Sequence, residues 1–290
     1  MNQDCDNTPA RFGRDAARAE LGRIGALDDN EIDIAETALV LATFDRPRIP
    51  LTRYRHHVSL LAGDVAREFV RAKGSGDNID DRAQALKTVL HDQYGYRGDE
   101  LTYDDIQNAN LMRVVDRQKG LPVALGVLYI HAARAQGWEV SGLNFPAHFL
   151  ICLDHLCRRV VIDPYTGNHM VNAREVLDFL KGLAGSAAEL KPAYYTPISN
   201  RDILLRLQNN IKARLVGANR LEDAITVVEH MLMFAPGRAT LWHEIGLLQA
   251  KLGQLGAAVG SLETFIAHTG NDEARHKAAK LLQELRSAIN

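Results

Sequence analysis

Gly120-Leu121-Pro122-Val123-Ala124-Leu125-Gly126 opens a helix, Asn144-Phe145-Pro146-Ala147-His148-Phe149-Leu150 leads into apolar β-segments, and these close on Ile162-Asp163-Pro164-Tyr165. A helix start, a His and an Asp in this order resemble the nucleophile, base and orienting carboxylate of cysteine-His-Asp acyltransferases. Here the helix start holds Pro122, and there is no Cys, Ser or Thr from Gly120 to Arg134. The stretch carries a base and its orienter without the group they would activate, so it says more about architecture than about a reaction.

Upstream, Ile32, Ile34, Ala35, Ala38, Leu39, Leu41 and Ala42 form a helical stripe over 31–44, stopped by Pro47 and Pro50. Pro50 begins a longer helix with Tyr54, Val58, Leu61, Val65, Phe69 and Val70 on its stripe, ended by Gly74 and Gly76. Further helices are expected over 79–94, with Gly95 as a left-handed cap, over 108–119, and over 121–136, where Gly137 is the stop. The period then changes. Segments 140–145, 148–153 and 159–163 are short and rich in β-formers, and the last two read as an antiparallel pair around a polar turn. A helix over 173–183 follows. Residues 1–28 are expected as a weakly ordered N-terminal arm, with a short helix near 14–24.

Residues 186–200, with Pro192 and Pro197, read as a linker, and everything after them is helical. Ala224 and Ala258 sit 34 residues apart in matching frames. Trp242, Ile245, Gly246, Ala258 and Phe265 fall on tetratricopeptide positions of one unit, and Ile211, Leu215, Ala224 and Pro236 on those of the unit before. A last helix over 273–289 would cap the stack.

Composition narrows the functions. Hydrophobic residues make up 46% and charged residues 24%, which are globular values. The net charge of -2, from 34 basic and 36 acidic residues, supplies no basic field for nucleic acid and no polybasic membrane anchor. No apolar run approaches a membrane span, and the first nine residues lack a signal-peptide core. Three cysteines, Cys5, Cys152 and Cys157, do not make a disulfide framework and suit a reducing compartment. A cytoplasmic protein is the expectation.

Beyond these patterns the chain resembles a known family. The likeness rests on Tyr94-Gly95-Tyr96-Arg97-Gly98-Asp99, Tyr103, Asn108-Ala109-Asn110-Leu111, Val114-Val115-Asp116, Gly120-Leu121-Pro122, 142–150, and Ile162-Asp163-Pro164-Tyr165 with Gly167. They are similar to the bacterial SirB-one family, a transglutaminase-like domain followed by tetratricopeptide-type repeats. The resemblance implies an α+β fold: a mainly helical transglutaminase-like domain with a small antiparallel sheet over 29–185, then an all-α repeat domain over 201–290. In the wider superfamily it implies a Cys at a helix N-terminus with His and Asp on following strands. Pro122 stands at that Cys place, and His148 and Asp163 match the other two.

His148 and Asp163 are therefore the remnant candidates of a site with no intact nucleophile. They read either as a buried pair tying two segments together or as part of a cleft that binds a peptide without cutting it. Tyr103, Asn110 and Asn144 are candidates to line such a cleft. Cys152 follows His148 by four residues and would lie on the order of 13 Å from it along a strand, too far to be activated. His148, Cys152, His155 and Cys157 fall within ten residues, but their spacing fits no zinc pattern, so neither metal nor cofactor is expected. His243-Glu244, Glu229-His230 and His56-His57 read as exposed helix residues. The function expected is a non-catalytic interaction or regulatory protein with a protein or peptide partner. The alternative is a hydrolase or acyltransferase that uses the His–Asp pair with another nucleophile.

Overall fold

The computed structural model describes residues 12–72, 77–146 and 148–289. In chain order the elements are α1 (Arg14–Gly25), α2 (Ile34–Ala42), α3 (Thr52–Ala72), α4 (Ile79–Leu86) with a π-helical continuation (Lys87–Gln93), β1 (Arg97–Gly98), a 3-10 turn (Ile106–Ala109), α5 (Leu111–Arg117), β2 (Lys119–Gly120) and α6 (Pro122–Arg134). There follow β3 (Glu139–Leu143), β4 (Ile151–His155), β5 (Arg158–Ile162), β6 (His169–Met170), α7 (Ala173–Ala184) and β7 (Pro197–Ile198). The chain ends in α8 (Asn200–Gly217), α9 (Leu221–Phe234), α10 (Ala239–Lys251), α11 (Leu255–His268) and α12 (Asp272–Ile289).

The centre is α6. Its sequence is apolar on all faces, so it can be stable only with neighbours on all sides, and every residue but His131 and Arg134 is buried. The antiparallel sheet, in the order β6-β5-β4-β3-β7, packs beside it. Two glycines set that approach. A Cβ on Gly126 of α6 would lie 2.4 Å from the Phe149 ring, and one on Gly142 of β3 would lie 2.8 Å from it. The β4–β5 hairpin closes through Leu156 and Cys157, both at positive φ (47° and 61°), with His155 opposite Arg158. That is the backbone a two-residue hairpin turn requires. His148 sits in the loop before β4 rather than on the strand, because the ladder with β3 begins only at Ile151.

In the C-terminal part, Ala224 and Ala258 are fully buried, and Gly246 of α10 leaves room for Leu262 of α11, which a Cβ would approach to 3.0 Å. Small residues thus let the paired helices close up, as the 34-residue register requires.

Three elements depart from the sequence reading. The first eleven residues of the expected arm, Cys5 among them, lie outside the described residues. The remainder is not loose: Ala17, Leu21 and Ile24 of α1 are buried at helical spacing, and α1 packs on α9. The 186–200 segment does more than link, since β7 adds an edge strand to β3 through Gly142↔Ile198 and Leu143↔Pro197. Val70, assigned to the α3 stripe, is exposed. One hydrophobic cluster runs from Ala17 of α1 to Leu248 of α10, so the repeats and the upstream helices share a core.

Candidate functional site

Leu121 N–H donates to Asn108 O (2.9 Å), and Pro122 takes the first position of α6, where its missing N–H costs nothing. Asn108 is itself fully buried. Its Nδ2 donates to Thr102 O (2.6 Å), and its Oδ1 accepts from Arg117 Nη1 (2.8 Å). Asp99 joins the same network, accepting from Arg117 Nη2 and Thr102 Oγ1, both at 2.6 Å. Burial opposes its charge, but these donors hold its carboxyl well below the usual range. The network fixes the segment that carries Tyr103.

Opposite Pro122, His148 Nε2 donates to Asp163 Oδ1 at 2.8 Å. Asp163 is 1% exposed and also accepts from Tyr165 N (2.9 Å) and Thr166 Oγ1 (2.8 Å). A carboxylate so held has a fixed orientation and in turn fixes the imidazole plane. The ring is further framed edge-on by Tyr165 and Phe179, at centroid distances of 5.9 Å and 5.3 Å. Gly98 makes room for Tyr165: a Cβ there would fall 2.0 Å from its ring. The loop carrying the histidine is pinned from outside by Arg206 of α8, whose Nη2 donates to His148 O (2.5 Å) and Phe145 O (3.2 Å).

Pro122 and His148 line one depression of about 40 Å³ with Tyr103, Leu121, Val123, Phe149, Arg206 and Asn210. That is room for a few waters. No residue of this lining carries a thiol or an aliphatic hydroxyl. Cys152 lies instead in a separate apolar cluster with Leu143, Phe145 and Val161, where burial, reinforced by Asp154, pushes its thiol up to about 12. Such a thiol stays protonated and inert at neutral pH.

The structure thus brings together Tyr103, Pro122, His148 and Asp163 and leaves two candidates elsewhere. Asn110 caps α5 by accepting from Arg113 N (3.2 Å) and donates to Ala42 O (3.3 Å). Asn144 is exposed, with its backbone N–H on Thr196 O (3.0 Å). His155 faces Asp77 O (3.4 Å), and Cys157 is exposed at the hairpin. Three histidines expected on open helix faces are not fully there. His230 is 6% exposed and stacked on Phe44, His57 is half-buried against Tyr96 Oη (2.6 Å), and His243 packs on Phe265. Sequence reasoning missed Arg206 and Asn210, because they lie in α8, past the boundary drawn at 200. Arg206 stands at helical spacing with Ile203 and Asn210, a mixed pattern that signals a helix polar on the side it shares with another unit.

A pattern of the transglutaminase-like superfamily matches residues 52–209, and a tetratricopeptide repeat pattern matches residues 211–283. The first ends inside α8, in keeping with a helix that serves both parts. Among curated proteins, the chain is similar to the UPF0162 protein of Vibrio cholerae serotype O1, 26% identical over 264 residues, covering 91% of this chain and 94% of that one. A UPF0162 protein of Xylella fastidiosa is 26% identical over 247 residues, with 84% and 86% covered. Mouse F-box only protein 21 shares 34% identity over 67 residues, or 23% of this chain and 11% of its own. Among solved structures there is a likeness to menin at a TM-score of 0.39 and 11% identity, over 92% of this chain and 74% of that one. No helix among the described residues is long and apolar enough to cross a membrane. The chain belongs to the transglutaminase-like superfamily, as a transglutaminase-like domain followed by tetratricopeptide repeats.

Proposed function

We propose that this protein works by binding rather than by catalysis: an interaction or regulatory protein whose transglutaminase-like domain lacks its nucleophile and whose repeats engage a protein partner. One observation carries the reading. Pro122 shares a depression with His148 at the start of α6, where a thiol would have to stand to be activated by the imidazole and the helix N-terminus. A proline has no ionisable group, and the depression's volume suits water rather than a substrate side chain. Tetratricopeptide units stack into extended surfaces that hold partner peptides or helices, which supports the partner class.

The test uses the full chain, since the two parts share one core. It is incubated with a panel of activated acyl esters and glutamine-containing peptides and examined by intact mass, alongside in-cell cross-linking. The reading expects no acyl adduct and no turnover that depends on His148, together with a recurrent cross-linked protein that survives His148→Ala. An acyl adduct or turnover abolished by His148→Ala would overturn it. A second reading, a hydrolase or acyltransferase that activates water or a group supplied by a partner, is favoured by the intact 2.8 Å bond between His148 and Asp163. That same outcome would establish it.

A further inference from the structure

A second, far larger hollow has no part in the site described above. A cavity of about 580 Å³ opens where the upstream helices meet the repeats, between α2, the Ile106–Ala109 turn, α8 and α9. This is the size of small-molecule sites, and a junction between units is where such sites concentrate. Leu41, Ala42, Ile106, Ile211, Leu215 and Val227 supply apolar wall.

The arginines that line it are paired within the protein. Asp45 accepts from Arg113 Nε (2.8 Å), and Asp223 accepts from Arg220 Nε (2.7 Å). Asp104 stands 3.4 Å from Arg214. Asp105 accepts from the backbone N–H and the side-chain Nε2 of Gln107 at 2.9 Å and 3.0 Å. Two other polar lining residues make no side-chain hydrogen bond within the protein's described residues. Gln208 is 5% exposed and His230 is 6% exposed, and neither side chain has a hydrogen-bond partner among the described residues. Side chains this buried normally bond within the protein, and these two instead leave their polar atoms open to the cavity they line, which is where a ligand's polar atoms would meet them. Both groups are uncharged at neutral pH. Burial, helped by Arg18 and Arg14, holds His230 down at about 4, so its ring offers one donor and one acceptor. The Gln208 amide offers both as well.

We infer that this cavity binds an uncharged small molecule with an apolar body and an amide-like edge that presents a donor and an acceptor to Gln208 and His230. An anionic ligand would leave water to face Asp45, Asp104, Asp105 and Asp223, with each lining arginine already paired. A wholly apolar one would seal both polar groups away unpaired. The site is independent of the binding function proposed above, and neither depends on the other.

The probes are 1-naphthylacetamide and its carboxylate counterpart, 1-naphthylacetate, titrated into the full-length protein and followed by backbone amide chemical shifts. The amide is expected to bind, with shifts at α2, α8 and α9, and the carboxylate to bind at least tenfold more weakly. Gln208→Leu should weaken the amide by fivefold or more, in line with a lost neutral hydrogen bond. Because a substitution in α8 can disturb folding, Thr226→Trp is the companion variant. Thr226 is an exposed residue lining the cavity, and the indole should block binding while the spectrum stays native. The inference is overturned if the amide produces no shifts around the cavity, if the carboxylate binds as tightly, or if a folded Thr226→Trp protein binds like the parent.

Discussion

Pro122 satisfies the backbone at the start of a helix and gives a neighbouring imidazole nothing to deprotonate. What remains beside it is a polar arrangement in which Asp163, not His148, is the hub. Asp163 accepts from His148, Tyr165 and Thr166, whereas His148 makes one of those bonds and keeps part of its ring open. Asp163→Ala is therefore expected to cost roughly 2–3 kcal/mol by leaving buried donors unpaired, and His148→Ala only about 1 kcal/mol. Urea unfolding of both variants checks the order, and an equal or reversed cost would contradict it. His230 makes the other residue-scale prediction. Its folded pKa, near 4, lies below the unfolded value of about 6.5, so the unfolded chain binds a proton first and stability falls as pH drops through that window. The loss attributable to this group is about 2 kcal/mol at pH 5. Thermal unfolding at pH 7 and pH 5 should show a smaller acid-induced drop in His230→Phe than in the parent. His148 and Asp163 were legible in the sequence through the order and family resemblance of their motifs, while the bond between them needed the fold to bring the two segments together. The burial of His230 was not, since a helical histidine shows its surroundings only when Phe44, distant in sequence, is placed against it.

At the scale of elements, period and punctuation carried most of the reading. Gly95 and Gly137 end helices at positive φ, and α6 is buried along its length, as its unbroken apolar run demands. The failures share one cause: short segments whose stability comes from a distant neighbour. The α1 helix has too few apolar residues to stand alone, and packing on α9 supplies the rest. β7 is two residues long and exists because β3 offers it an edge. Close approach is the element-scale lever that can be tested. Gly126→Ala would push a methyl into the Phe149 ring, between α6 and the sheet. Overpacking of this kind costs about 1–3 kcal/mol. A melting temperature unchanged in Gly126→Ala would show that the helix and sheet are not held at this distance by the glycine.

For the molecule as a whole, α8 decides the organisation. Its first residues are held by the N-terminal region: Asp29 accepts from Asn200 N (2.7 Å) and Arg201 N (2.9 Å), and Arg201 Nη2 donates to Leu27 O (2.5 Å). Arg201 Nη2 also donates to Ile24 O and Gly25 O of α1 (both 3.3 Å) and its Nε to Phe234 O of α9 (3.0 Å), so one guanidinium ties α1, α8 and α9 together. A boundary at 200 is natural to the sequence, where proline-rich chain gives way to helix. It cuts through this junction because sequence period cannot show what a helix face packs against. The part of the protein from α1 through α10 is accordingly expected to unfold in one transition by circular dichroism and tryptophan fluorescence, and Arg201→Ala to lower its midpoint. Separate transitions for the sheet and for α8–α9 would contradict the shared core.

The central claim is that Pro122 stands at the nucleophile's place in a site otherwise built for one. The direct measurement is the thiol pKa of Pro122→Cys, read from the pH dependence of alkylation and compared with the same substitution in His148→Ala. The account predicts a thiol depressed below about 7.5 by the helix N-terminus and the imidazole, and relieved when His148 is removed. A value at or above the ordinary 8.5 or so, indifferent to His148, would contradict it.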